Sequence, residues 1–199
     1  MMMKKIFGMS IALIASFSTS GKAAEFGPYV GVNINQYYAS ADRNITSGDL
    51  ESEEIMAGGV RAGYNISLLG LFITPEIYAD YIGLDSYETT TQNNTIDLNY
   101  QFGGKVNAGM SVLGIIDTYV TAGINFIDYD VNWQASNQHK GGTAQGYIAG
   151  VGMNLTPPII DLLSLNLEVN ITNVDLDTPD STTVDTSIVT LKLGLTYHF

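Results

Sequence analysis

From Leu163 to Asn173 the odd positions are apolar (Leu163, Leu165, Leu167, Val169, Ile171) and the even ones polar (Ser164, Asn166, Glu168, Asn170, Thr172). The C-terminal residues repeat the pattern, setting Val189, Leu191, Leu193, Leu195, Tyr197 and Phe199 against Thr190, Lys192, Gly194, Thr196 and His198. Between Ile96 and Ala108 the apolar set Ile96, Leu98, Tyr100, Phe102, Val106 and Ala108 opposes Asp97, Asn99, Gln101, Lys105 and Asn107. Near the N-terminus, Phe26, Pro28, Val30, Val32 and Ile34 oppose Tyr29, Gly31, Asn33 and Asn35. Successive side chains of a strand point to opposite faces, so a period of two predicts strands with one apolar and one polar face. Helical spacing fits none of these segments as well.

A longer repeat sets the number of strands. Ser67-Leu68-Leu69-Gly70-Leu71 and Ser111-Val112-Leu113-Gly114-Ile115 lie 44 residues apart, and a further 44 leads to the turn-forming Leu155-Thr156-Pro157-Pro158-Ile159. Between these turns come polar stretches: Asn44 to Glu54, Gln92-Asn93-Asn94, Ala135 to Gln138, and Thr178 to Ser181. Three short turns and four long loops imply eight antiparallel strands of about 10–13 residues, the length of tilted membrane-spanning strands.

The N-terminus reads as an address. Lys4 and Lys5 precede an apolar run, Ile6 to Phe17, and a small-residue stretch with Gly21 and Ala23, the pattern of a secretory signal peptide. Residues 1–23 are therefore expected to be removed, leaving 24–199 as one barrel domain. Without Lys4, Lys5 and Lys22 the chain keeps five cations against 20 acids, a net charge of −15. Such a charge argues against nucleic acid, which needs a basic surface. The absence of cysteine excludes disulfides, thiol nucleophiles and zinc–thiolate sites. No stretch after the signal offers 18 consecutive apolar residues, so any membrane crossing uses strands.

Alternation alone does not say which face points outward. Charge bears on it first: the polar set carries only Arg61, Glu76, Asp80, Asp97, Lys105, Glu168 and Lys192, where a solvent-facing surface carries roughly a quarter to a third charged residues. The polar set is instead rich in glycine (Gly31, Gly63, Gly103, Gly109, Gly123, Gly150, Gly152), as a narrow interior requires. Aromatics in the apolar set gather toward strand ends. Phe26, Tyr64, Tyr197 and Phe199 lie near the short turns, and Tyr81, Tyr100, Phe102, Phe126 and Tyr147 near the loops. Paired aromatic girdles mark the two membrane interfaces. The expected fold is an all-β, eight-stranded, antiparallel up-and-down transmembrane barrel with its apolar face on lipid. An open edge is too costly in hydrocarbon, so the first strand has to pair with the last.

Tyr119-Val120-Thr121-Ala122-Gly123-Ile124-Asn125-Phe126, Gly146-Tyr147-Ile148-Ala149-Gly150-Val151-Gly152 and Leu193-Gly194-Leu195-Thr196-Tyr197-His198-Phe199 resemble strands of the eight-stranded outer-membrane barrel family of opacity-type and surface-antigen porin-like proteins of Gram-negative bacteria. The resemblance runs over the whole chain after the signal. It implies a place in the outer membrane, among proteins described as adhesins, immune-evasion antigens, envelope stabilisers and minor pores. It also implies that the closing aromatic strand, Tyr197 and Phe199, is the signal read by the barrel-assembly machinery.

Candidate functional residues follow from the two faces. Arg61, Lys105 and Lys192 fall on the polar face with Glu76, Asp80, Asp97 and Glu168, and an eight-stranded barrel is narrow enough for its side chains to fill it. They are expected to form a paired ionic plug, since buried charge is tolerated only when paired. The loops carry Asp42, Asp49, Glu51, Glu53, Glu54, Asp175, Asp177, Asp180 and Asp185, with Asp128 and Asp130 beside the third. This acidic rim is expected to repel like surfaces or meet a host surface or basic ligand. No cofactor, metal or catalytic residue is assigned. Of the two histidines, His139 lies in a loop and His198 beside the C-terminus, with no nucleophile–base pair at usable spacing. The expected protein is a non-catalytic, monomeric surface protein for display, adhesion and envelope integrity; the alternatives are a narrow channel and, third, a lipid-modifying enzyme. On this reading Leu167→Arg is damaging and Asn166→Ser mild.

Overall fold

The computed structural model describes residues 25–42, 54–82, 94–112, 114–133, 138–158, 160, 162–177 and 183–199. The proposed signal, residues 1–23, lies outside them, as do Asp49, Glu51, Glu53 and Asp180. Eight strands form one closed antiparallel barrel: β1 (Glu25–Asp42), β2 (Glu54–Leu68), β3 (Leu71–Tyr81), β4 (Asn94–Val112), β5 (Ile116–Trp133), β6 (Gln138–Leu155), β7 (Leu163–Asp177) and β8 (Thr183–His198). Each strand pairs with its sequence neighbours, and β1 closes on β8 from Tyr29↔His198 to Asp42↔Asp185. Closure leaves no sheet edge around the belt.

The alternation is realised as expected. Val32, Ile34, Ile77, Val151, Leu167 and Leu193 are exposed on the outer wall, while Asn35, Asn125, Asn166, Glu168 and Asn170 are sealed inside. The strands run to 19 residues, longer than the expected 10–13, because pairing continues into segments read as loop. Asp42, Glu54, Asp175, Asp177 and Asp185 accordingly stand in strand ends rather than in loops. Asp128 and Asp130 likewise belong to β5.

The turns differ in construction. Leu68 pairs with Leu71 across Leu69 and Gly70, whose φ values of 55° and 80° define a type I′ hairpin. Glycine accepts that geometry freely, whereas Leu69 adopts it against its steric preference. Gly114, at φ 68°, serves the β4–β5 turn.

One irregularity changes the reading of β4. Leu98 pairs with Tyr129 and Tyr100 with Asp128, so Asn99 is an extra residue, a β-bulge. A one-residue slip exchanges the two faces. Below the bulge Gln101 and Lys105 point inward; above it Leu98 does. Leu98 therefore leaves the outward apolar set. Asp97, expected among the interior charges, is half-exposed opposite Asp130 on the outer side.

Candidate functional site

The interior is built in layers, set by which residues the register brings to one level. In the middle, Glu76 on β3 stands opposite Lys105 on β4, and Glu168 on β7 opposite Lys192 on β8. Lys105 Nζ lies 3.1 Å from Glu76 Oε1 and also forms an ion pair with Glu168 Oε1. Lys192 Nζ reaches across to Asp80 Oδ2 at 2.7 Å. Arg61, on β2, donates to Thr196 Oγ1. At this level three cations thus face three carboxylates, and all six are buried, while a fourth acid, Asp117, lines the interior at the turn end. Six of the seven predicted interior charges come together; Asp97 does not.

Polar neighbours complete the carboxylates. Tyr29 donates to Glu76 Oε2, and Tyr119 to Glu168 Oε2 at 2.8 Å. Asn170 Nδ2 donates to Glu168 Oε1 at 2.6 Å. Asp80 accepts from Asn33 Nδ2 at 2.9 Å and from Tyr37 at 3.2 Å. Lys192 Nζ also sits 4.4 Å from the centre of the Tyr78 ring, a cation–π arrangement. Charge-assisted bonds of this kind are what make buried ions tolerable.

The tyrosines were not singled out from the sequence, though a signal was there. Four of the buried inward tyrosines, Tyr29, Tyr78, Tyr119 and Tyr129, lie over an inward glycine on the neighbouring strand. A Cβ on Gly63 would stand 2.5 Å from the Tyr29 hydroxyl, and one on Gly152 would stand 2.4 Å from the Tyr119 ring. Tyr29 pairs with Gly63, and Tyr119 with Gly152. The glycines make room for rings that carry the hydrogen bonds.

Toward the loop end the interior becomes apolar. Tyr37, Ala57, Ile82, Leu98, Ile127, Tyr129, Ala144, Val174 and Ile188 form one buried cluster above the charges. Sequence reading missed this layer because its members are scattered, one or two to a strand, over all eight strands or their ends.

Toward the turn end a cavity of about 40 Å³ is bounded by Tyr29, Arg61, Asn107, Tyr119, Asn166 and His198, among others. Arg61 Nε, Asn107 Oδ1 and Asn166 Oδ1 are buried there with no protein partner. At roughly 10–15 Å³ per water, the cavity has room for about three waters that could serve them. Further unpartnered atoms on Thr121, Asn125, Asn170 and Thr172 lie higher in the interior.

Asn166 corrects one expectation. Its amide donates to Tyr119 at 2.6 Å and to Asn154 Oδ1 at 2.8 Å, so shortening it to serine is not mild. His198 corrects another: its Nε2 lies 3.0 Å from Ser164 Oγ, which also contacts Thr156 Oγ1 at 2.7 Å. The register thus brings a hydroxyl to an imidazole, two residues 34 apart in sequence. Ser164 is buried, and the bond ties the C-terminal strand to β7 at the turn end. Tyr197 and Phe199 are exposed on the outer wall with rings 5.0 Å apart, and the Phe199 amide donates to Pro28 O at 3.1 Å. Among the described residues no group of three or more His, Asp or Glu is arranged to hold a metal.

A sequence profile described as the outer membrane protein beta-barrel domain matches residues 9–199. The chain belongs to this family. Its apolar wall therefore faces membrane lipid, and its place is the cell outer membrane. No curated protein matches by sequence. Among solved structures, Neisserial surface protein A (NspA) superposes with a TM-score of 0.58 at 14% identity, covering 89% of this chain and all of that one. Ail, the attachment invasion locus protein of Yersinia pestis, gives 0.59 at 10% identity over 87% of this chain and 99% of its own. The outer membrane protein AlkL, solved in DMPC bilayers, gives 0.50 at 15% identity over 94% and 97%. At these identities the likeness is one of fold alone.

Proposed function

We propose that the protein is a non-catalytic, non-conducting surface protein, whose barrel holds acidic extracellular segments at the cell surface for contact with a basic partner and for envelope integrity. The observation that carries this reading is the doubly closed interior. An ionic layer (Glu76, Lys105, Glu168, Asp80, Lys192) lies beneath an apolar one (Tyr37, Leu98, Ile127, Tyr129, Ile188). An ion crossing the barrel would have to shed its water to pass the second layer, which no charge there offsets.

Charge sets the partner's chemistry. The chain carries a net −12, and Asp42, Glu54, Asp175, Asp177 and Asp185 stand at loop-end strand termini. NspA is described as a surface protein and Ail as an attachment protein, which supports display as the role of such a barrel. One Ail structure holds the heparin analogue sucrose octasulfate, a polyanion. The acidic rim here favours a partner of the opposite charge.

Two measurements test the reading. Single-channel recording in planar bilayers should show no discrete conductance for the wild type. Binding of a lysine-rich peptide to whole cells should fall when the segment from Asp42 to Glu54 is shortened and the barrel still folds. Steady conductance altered by Arg61→Ala or Glu76→Gln would favour the channel instead, and unchanged peptide binding would remove the acidic rim as the contact.

A further inference from the structure

The wall between β6 and β7 does not close over its full height. β6 stays paired with β5 from Leu155 up to Gln138, and β7 with β8 from Leu163 to Asp177. Their pairing with each other runs from Leu155↔Leu165 only to Gly146↔Val174. Above that level Gly141 to Gln145 of β6 is an edge among the described residues, with β5 on one side and no strand on the other. Alternate residues of such a segment turn their N–H and C=O groups to the open side. An open edge is excluded in hydrocarbon, and this one lies beyond Tyr147, the exposed loop-end aromatic of β6. Natural edges are blunted by proline, charge or a bulge. Gly141-Gly142-Thr143-Ala144-Gln145 has no proline and no charged side chain, and its register with β5 is regular. Glycine in a strand lets another backbone come close, and Gly142 is half-buried with Tyr129 beneath it.

We infer that this edge takes an extended peptide as an added strand, with lysine or arginine at alternate positions along it. The inference rests on the acidic rim being a contact for a basic partner, and adds how that partner is held. Charge on both banks selects the occupant. In β5, Asp130 pairs with Gly141 and Asp128 with Thr143, and both acids are half-exposed on the outer face. Asp130 leans over β6, since a Cβ on Gly141 would stand 2.3 Å from its Oδ1. Across the opening β7 carries the exposed Asp175, in register with Asp185 of β8, which is in register with Asp42 of β1. A strand between the banks brings every second side chain to the outer face, between Asp175 and the pair Asp128 and Asp130. Its other side chains point inward beside Ala144 and Val174 of the buried apolar cluster, where small apolar groups fit. Main-chain bonds give the affinity and the alternate cations the specificity. The same edge of a second copy arrives with its own Asp128 and Asp130, so like charges oppose it.

Amide hydrogen exchange of the full barrel in lipid nanodiscs, read by NMR, tests the proposal. The probe is a seven-residue peptide with lysine at odd positions and threonine or valine between. Edge-side amides from Gly141 to Gln145 should exchange fast without it and at least tenfold more slowly with it, while amides bonded to β5 stay unchanged. The same peptide methylated at every backbone nitrogen keeps its charge and should bind at least tenfold more weakly. Gly142→Pro and Thr143→Pro, made singly, supply the matching change in the protein. Neighbouring N–H groups point to opposite sides, so one of the two prolines spares the β5 pairing and removes a bond the peptide needs. That variant should fold, as heat-dependent gel mobility reports, and bind at least tenfold more weakly. Should neither variant fold, the methylated peptide still decides. Equal binding of the methylated peptide with edge amides still fast overturns the added strand and leaves the acidic rim as a contact. No binding of either peptide overturns both readings. Edge amides already slow in the free barrel place this chain or a second copy on the edge, and overturn the proposal as well.

Discussion

Replacing Lys105 with methionine tests whether the interior is as dry as its geometry implies. The substitution keeps the unbranched stem and removes only the ammonium. That ammonium pairs with both Glu76 and Glu168, and the three side chains are no more than 2% exposed. Its loss removes one positive charge from the interior and sets two carboxylates against the same vacated space. Glu168 keeps its bonds from Tyr119 and Asn170, and Glu76 its bond from Tyr29, so neither is stripped bare. Removing one partner of a buried pair costs about 3–5 kcal/mol, and that is the expected loss. Lys105→Met combined with Glu168→Gln restores the wild-type charge balance, and the two changes should couple favourably by about 1–3 kcal/mol. Urea titration of folding in phospholipid vesicles, followed by gel mobility, measures all three variants against wild type. Salt should alter these values little, because buried pairs are weakly screened. A single-variant cost below about 1 kcal/mol, the range of exposed pairs, would refute the sealed interior. So would a cost that disappears in high salt.

The same titration carries further expectations. Leu167→Arg places a charge on the lipid face near mid-strand and should cost about 2–4 kcal/mol. Asn166→Ser should cost about 1–3 kcal/mol through the donors it removes from Tyr119 and Asn154; a cost under a few tenths would mean water replaces the amide. Leu69→Asn should stabilise by about 0.5–1 kcal/mol, since asparagine tolerates the left-handed conformation that leucine resists. A loss there would show that the exposed Leu69 side chain is held by the membrane interface. Deleting Phe199 should leave periplasmic precursor in cell fractions, and normal surface levels would remove that residue from the assembly signal.

How far the sequence reveals the fold depends on how long its alternation runs unbroken. In β7 and β8 the period holds from Leu163 to Ile171 and from Val189 to Tyr197, and every residue there faces as expected. In β4 it holds only from Tyr100 onward. Asn99 looks like one more polar position in the zigzag, and nothing local distinguishes a paired asparagine from a bulged one. The bulge appears only when β5 is laid alongside, because it is a property of two strands. Asp97 failed for that reason, while Arg61, Glu76, Asp80, Lys105, Glu168 and Lys192 succeeded because unbroken alternation connects each to its strand. The partners of those charges were hidden for a related reason. Period assigns a residue to a face, but level within the barrel is set by register and by the tilt of the strands.

The two layers of the interior depend on each other physically. Opposite charges attract strongly only where water is kept away, and the ammonium of Lys105 gains from Glu76 and Glu168 what it lost on burial only in such a place. The turn end cannot keep water away, since the small cavity beside Arg61 is lined by polar atoms. The seal therefore has to come from above, and the cluster of Tyr37, Leu98, Ile127, Tyr129, Val174 and Ile188 supplies it. Leu98 reaches that cluster only because Asn99 bulges; with regular pairing it would face lipid and leave a gap in the cover. An irregularity that defeats the sequence pattern thus helps to close the barrel, and the ion pairs below owe their strength to it.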